Sequence, residues 1–219
     1  MMHSKPILDR KRREEHLVTP NATQRPLQRT STAFAVVMAA VCIAWAVVAL
    51  THPTSLTDDD IPTWMVVHIA QLVFAPIIAL GILELLKGIE GPAATVARGA
   101  AVLWAAWFSA YDAVAGVATG ILIGGDARAA GEYLFAHELT TGLGWVAPGI
   151  WLLTVILAGL ALRASGAPMV PCVALFASAL IFTHAGPPAA VGFVALAVAL
   201  WSGLTMGDHA ELVIQRRRS

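Results

Sequence analysis

Charge is what this sequence has least of. Only 13% of its 219 residues are Asp, Glu, Lys or Arg, while 58% are hydrophobic, and the mean hydropathy is +0.72. A soluble domain carries about 25% charged and about 45–50% apolar residues. The shortage argues against a soluble globular enzyme, a disordered regulator and a nucleic-acid-binding domain, and leaves a polytopic membrane protein in contact with lipid. Cysteine is scarce as well. Cys42 and Cys172 each stand alone in an apolar segment, with no CxxC pair for thiol-redox chemistry or a Cys-rich zinc site. Each reads as a small buried hydrophobe. Lys87, at the end of an apolar segment, is the one lysine near a span, which argues against a retinal Schiff base. There is no P-loop, no GxSxG and no HExxH. Asn21 is the only asparagine, arginine outnumbers lysine, and alanine, valine and glycine dominate. That bias suits GC-rich bacterial coding, hence a bacterial inner membrane.

What the sequence has in quantity is long apolar runs. Residues 1–31 are polar, with Arg10-Lys11-Arg12-Arg13 followed by Glu14-Glu15, and read as a disordered basic tail. A spanning helix needs about 20 apolar residues. Six runs qualify, at 32–51, 62–86, 94–123, 134–162, 168–185 and 188–206. They predict an all-α, six-helix transmembrane bundle over 32–206, followed by a short basic tail at 207–219. Pro168 and Pro171 crowd the start of the short fifth run, and Ala185-Gly186-Pro187-Pro188 turns the fifth into the sixth. Pro148-Gly149 falls inside the fourth and reads as a tolerated kink. No cleavable leader is expected, because no A-x-A site follows the first run.

The few charges sort by side. With the N-terminus inside, the basic tail, Lys87, Arg98, Arg163 and Arg216-Arg217-Arg218 all face the cytoplasm. Arg128 alone lies outside, and Asp58-Asp59-Asp60 occupies the first outer loop. The positive-inside rule then places both termini in the cytoplasm.

Ionisable groups within a bilayer are costly, so each is a functional candidate. His68 lies about two turns into the second run, with Gln71 one turn deeper on the same face. Asp112 is the one carboxylate deep within a span, beside Tyr111. His137 and Glu138 open the fourth run, and His184 closes the fifth. The three histidines share the outer half of the bundle. Imidazoles with a carboxylate suit zinc, iron or copper, and a pair of them suits haem iron. The expected site therefore has His68 and Asp112 at its core and His137 and His184 as further metal ligands. Tyr111 joins Asp112 as a catalytic candidate, and Gln71 and Glu138 support the set. Counted at 1.5 Å per residue, His68 and Asp112 differ in depth by roughly two turns, so upright helices hold them apart. Helix tilt or a bridging water would join them.

Local alternatives stand beside these readings. Gly116 and Gly120 form a GxxxG stripe that suits close helix packing and presses Asp112 inward. Trp104, Trp107 and Tyr111 read as an aromatic packing face, and Glu84 with Lys87 as an interfacial ion pair. Three functions remain open at this point. One is a metal- or haem-dependent membrane protein with redox or hydrolytic chemistry. The second is a proton-linked transporter or channel. The third is an assembly subunit, homo-oligomeric or held in a membrane complex, with no chemistry of its own. The residues leave undecided whether it is an enzyme.

Overall fold

The computed structural model describes residues 31–53, 56–140, 143–183 and 185–216. The described residues are helical and contain no strand. Ser31 caps the first helix, α1 (Thr32–Thr51), by accepting the Phe34 N–H at 3.2 Å. Pro62 sits in the first turn of α2 (Ile61–Leu85), where its missing N–H costs nothing. Gly88 and Gly91, at φ 77° and 117°, make the turn into α3. Arg98 locks that turn by donating to the Leu86 and Ile89 carbonyls at 2.9 and 3.1 Å. The cation expected to mark the cytoplasmic side thus also ties α3 to the end of α2.

The third helix, α3, runs from Pro92 to Gly124. It widens into one π-helical stretch, Ala113–Ala118, directly after Asp112. A short helix, α4 (Arg128–Thr140), follows, then the 3₁₀ turn Leu143–Trp145 and α5 (Val146–Ala164). The expected fourth span at 134–162 is therefore corrected: the apolar crossing helix starts at Val146. Glu132, His137 and Glu138 make α4 polar, and its thirteen residues are too few to cross. Pro148 falls in the first turn of α5, where proline is tolerated, so no kink interrupts the crossing.

Next comes α6 (Met169–Ala177), which tightens into the 3₁₀ segment Ser178–Thr183 before α7 (Gly186–Arg216). Trp151 of α5 holds that segment, donating from Nε1 to the Ser178 carbonyl at 3.0 Å. Among the described residues, five helices are long and apolar enough to cross a membrane: α1, α2, α3, α5 and Gly186–Thr205 of α7. The expected count of six is not reached on that measure. The fifth run, 168–185, supplies only the shorter apolar stretch Met169–Ile181.

The outside of these helices is apolar. Val36, Val47, Val66, Val73, Leu103 and Leu160 are each about half exposed. Lipid tails are as apolar as leucine, so burial alone cannot hold the helices together, and close packing must do it. The buried faces are accordingly rich in alanine, with Ala35, Ala49, Ala75, Ala97, Ala101 and Ala158 wholly or almost wholly enclosed. Trp45 fills the centre. Its ring stacks on Phe193 with centroids 4.5 Å apart and meets Phe74 and Phe108 at 5.7 Å. Trp104 joins this cluster and packs on Trp151 at 4.5 Å, as a packing aromatic should.

A buried His–Asp pair as the candidate functional site

Two helices meet along a stripe of small residues. Gly116, Gly120 and Gly124 of α3 face His68, Trp64 with Met65, and Ile61 of α2. At Gly116 the His68 imidazole occupies the space a Cβ would take. The GxxxG stripe therefore admits a histidine as well as a helix. Trp64 secures the crossing by donating Nε1–H to the Gly116 carbonyl at 2.8 Å. That carbonyl lies in the π-helical stretch, where the ordinary i→i+4 ladder is shifted. Thr119, fully buried, steadies the same stretch by donating its hydroxyl to the Val114 carbonyl at 3.3 Å.

The two expected core residues touch. His68 Nε2 lies 3.7 Å from Asp112 Oδ1, and both residues are buried, at 3% and 4% exposure. The separation of two turns expected from helix arithmetic does not hold. With His68 facing Gly116, Asp112 stands about one turn deeper along α3, and the reach of the two side chains spans that turn; the π-helical stretch adds only a small shortening. Gly116 also lets α2 come unusually close.

The proton positions follow from the neighbours. His68 Nδ1 stands 2.8 Å from the Trp64 carbonyl, which can only accept, so Nδ1 carries a hydrogen. Nε2 is left to face the carboxyl. Between Nε2 and Asp112 there is then room for one labile proton, and either group can hold it. The pair is neutral overall when loaded, as a carboxylic acid beside imidazole or as a carboxylate beside imidazolium. Losing the proton leaves one buried negative charge. Among the described residues, Asp112 Oδ2 has no hydrogen-bond partner, and neither polar atom of Gln71 has one. Gln71 is fully enclosed. Facing pairs 61–124, 64–120 and 68–116 set the register, which brings Gln71 level with Asp112.

A residue that sequence reasoning passed over completes the group. His52 follows the last residue of α1 and lies outside every apolar run. Its ring stands 5.1 Å, centroid to centroid, from both the His68 and Trp64 rings, edge-on to each. Its Nδ1 bonds the Pro53 carbonyl at 2.7 Å, so Nδ1 again carries the hydrogen. Burial lowers its pKa below the usual 6.5, against the opposing pull of that carbonyl. The signal available in sequence was its level: an α1 ending at Thr51 puts His52 at the same end of the bundle as the start of α2. Phe135 of α4 covers the cluster by packing edge-on against Trp64 at 5.8 Å.

The other expected site residues lie elsewhere. Tyr111 is half-buried and directs its hydroxyl toward Gly144, away from its neighbour's partner. His137 is exposed on α4 and stacks on Tyr133, with centroids 5.6 Å apart. His184 and the side chain of Glu138 lie outside the described residues. Among the described residues, no three of His, Cys, Asp or Glu come together closely enough to hold a metal ion. The expected ligand set of His68, His137 and His184 is not tested by this, because His184 lies outside the described residues. Of the expected ion pairs, Glu84 and Lys87 meet at 3.1 Å. Arg128, the lone outer cation, pairs with Asp58 of the first outer loop and lies 3.5 Å from Glu132.

Comparison with family models, with curated proteins and with solved structures finds no match for this chain. Any functional reading therefore rests on the chemistry of the residues themselves.

Proposed function

We propose that this protein is a proton-linked transporter or channel whose working group is the His68–Asp112 pair. One observation carries the reading: a carboxyl and an imidazole face each other at 3.7 Å, buried among apolar helices, with Nδ1 of the imidazole committed to the Trp64 carbonyl and Nε2 turned to the carboxyl. Such groups are expensive to keep inside a bilayer and usually mark an ion or proton path. A fixed structural ion pair would be better served by direct hydrogen bonds to every polar atom. Here Asp112 Oδ2 and the Gln71 amide are without partners among the described residues, which suits a group that changes its protonation and its contacts.

The same proposal takes α6 with its 3₁₀ extension as a sixth crossing. Nine α-helical residues and six 3₁₀ residues reach about 25 Å, close to the roughly 30 Å of hydrocarbon. Two contacts support this. Gly203 of α7 packs on Leu85 and Pro171, whereas Gly192 packs on Ile181. The segment from Pro171 to Ile181 thus runs antiparallel along α7, away from the end where α2 stops. Both termini then lie at one end of the bundle, and the charge distribution assigns that end to the cytoplasm.

Proton flux into dye-loaded proteoliposomes, driven by a pH step with the membrane potential clamped, tests the reading. Flux above that of empty vesicles is expected for the native protein, falling to the empty-vesicle level in Asp112→Asn. Equal flux in native protein, variant and empty vesicles would remove the proposal.

A further inference from the structure

We propose that His52 is the port through which the His68–Asp112 pair exchanges protons with the α1–α2 end of the bundle. This rests on the proton-linked reading and adds a route and a direction to it. The observations are geometric. His52, His68 and Asp112 form a continuous file from the loop end inward, with ring centroids 5.1 Å apart and then a 3.7 Å contact. His52 is partly exposed as a residue, but its Nε2 atom is enclosed. The ring is thus partly open to the surface while its Nε2 is enclosed in the bundle, beside the His68 ring.

Around this file the other approaches are closed by uncharged groups. Trp64 lies against both rings, and its indole N–H is committed to Gly116. Phe135 closes the α4 side. Several charged groups of the adjoining loop and helix have partners away from the ring. Asp60 accepts from Thr57 at 3.0 and 2.6 Å, and Asp58 pairs with Arg128, which also reaches Glu132. Among the contacts of the described residues, the titratable groups on the His52 side of the site are His68 on α2 and, behind it, Asp112 on α3.

The step balances without any co-reactant. His52 takes a proton at Nε2 with its ring turned to the loop and becomes imidazolium; its Nδ1–H leaves the Pro53 carbonyl for that turn and bonds it again when the ring swings back. Nε2 then releases that proton to the unloaded pair, either at His68 Nε2 or on the Asp112 carboxylate. The N–H bond of His52 breaks, one N–H or O–H bond forms in the pair, and His52 returns to neutral. The positive charge of His52 cancels the negative charge of the unloaded pair. Because the enclosed Nε2 cannot meet bulk water where it stands, reloading requires the ring to turn its Nε2 edge toward the loop. The port therefore also works as a gate: the ring cannot face loop and site at once.

Time-resolved infrared spectroscopy of the full chain in proteoliposomes tests this. The readout is the Asp112 carboxyl band after a pH jump, identified by its loss in Asp112→Asn. His52→Phe keeps an aromatic ring but carries no proton. It should retain the band and slow its appearance by about a hundredfold, a typical loss for a removed proton-transfer group. In His52→Ala, added imidazole should restore the rate in proportion to its concentration, which a purely structural role would not produce. A native rate in His52→Phe, or a slow His52→Ala that imidazole leaves unchanged, would overturn the port. Failure of the underlying reading looks different: the native protein itself would then show no titrating band that Asp112→Asn removes.

Discussion

A single methyl group at position 116 is the smallest change that should disturb the site. Gly116→Ala places a Cβ where the His68 ring now lies, and that ring is pinned by its bond to the Trp64 carbonyl. Overpacking a tight interior costs about 1–3 kcal/mol. At Gly99, an exposed position on the same helix, a Cβ would meet nothing within 4 Å. There Gly→Ala should be neutral or stabilise by up to about 1 kcal/mol through helix propensity. Thermal unfolding of the two variants in detergent should therefore move in opposite directions. At this scale much of the site was legible. His68 and Asp112 stand out as the ionisable groups deepest in apolar runs, and a glycine stripe beside Asp112 signals close approach. Their contact was not legible, because counting residues at the α-helical rise cannot foresee the register of α2 against α3 or the reach of the two side chains. His52 escaped because it lies one residue beyond an apolar run, where a histidine looks like ordinary loop. Only the packing of α1 beside α2 shows that it turns inward.

At the scale of elements, the chain is least regular where its chemistry sits. The π-helical stretch follows Asp112 directly, and the loop that joins α1 to α2 brings in His52. Burial in that loop has a consequence for acid stability. His52 binds its proton less readily in the folded protein than in the unfolded chain, whose histidine titrates near the ordinary 6.5. Above that value both states are neutral at His52 and it contributes no penalty. As the pH falls below it, the unfolded chain takes up the proton first, and folding stability declines. Melting curves recorded at falling pH should show native protein losing stability faster than His52→Gln. Parallel curves would mean that His52 titrates as it does in solution. The elements expected from sequence failed in one region, 128–183. There α4 is separated from α5 by a break, and α6 finishes as a 3₁₀ segment. The apolar count across 134–162 hides the break because alanine, leucine and glycine score as membrane residues whether or not they continue a helix. The bond from Trp151 to Ser178 and the Gly192 contact that hold the 3₁₀ segment are tertiary, so no local pattern announces them.

At the scale of the whole molecule, an apolar exterior and an alanine-rich interior around Trp45 follow directly from composition. A chain with so little charge has nowhere to put a soluble surface. The count of crossings is the point where composition and the proposal diverge, since five helices among the described residues pass on length and hydropathy, and the proposal takes α6, running along α7, as a sixth. The two counts put the C-terminus on opposite sides. Cysteines introduced at Asp59 and at Ser219 should label from outside and inside the cell respectively if there are six crossings. Labelling of both from outside would support five. The proton path depends on this topology only for its direction, because the pair itself is enclosed within α2 and α3.

The central claim is that one proton is exchanged at His68 Nε2 while Nδ1 keeps its own. Nitrogen-15 magnetic resonance of His68 in lipid bilayers, followed from acid to alkaline pH, tests it most directly. The account predicts that Nδ1 stays protonated throughout, that Nε2 responds in a single step, and that Asp112→Asn shifts or abolishes this step. A neutral His68 carrying its hydrogen on Nε2, or a titration indifferent to Asp112→Asn, would contradict it.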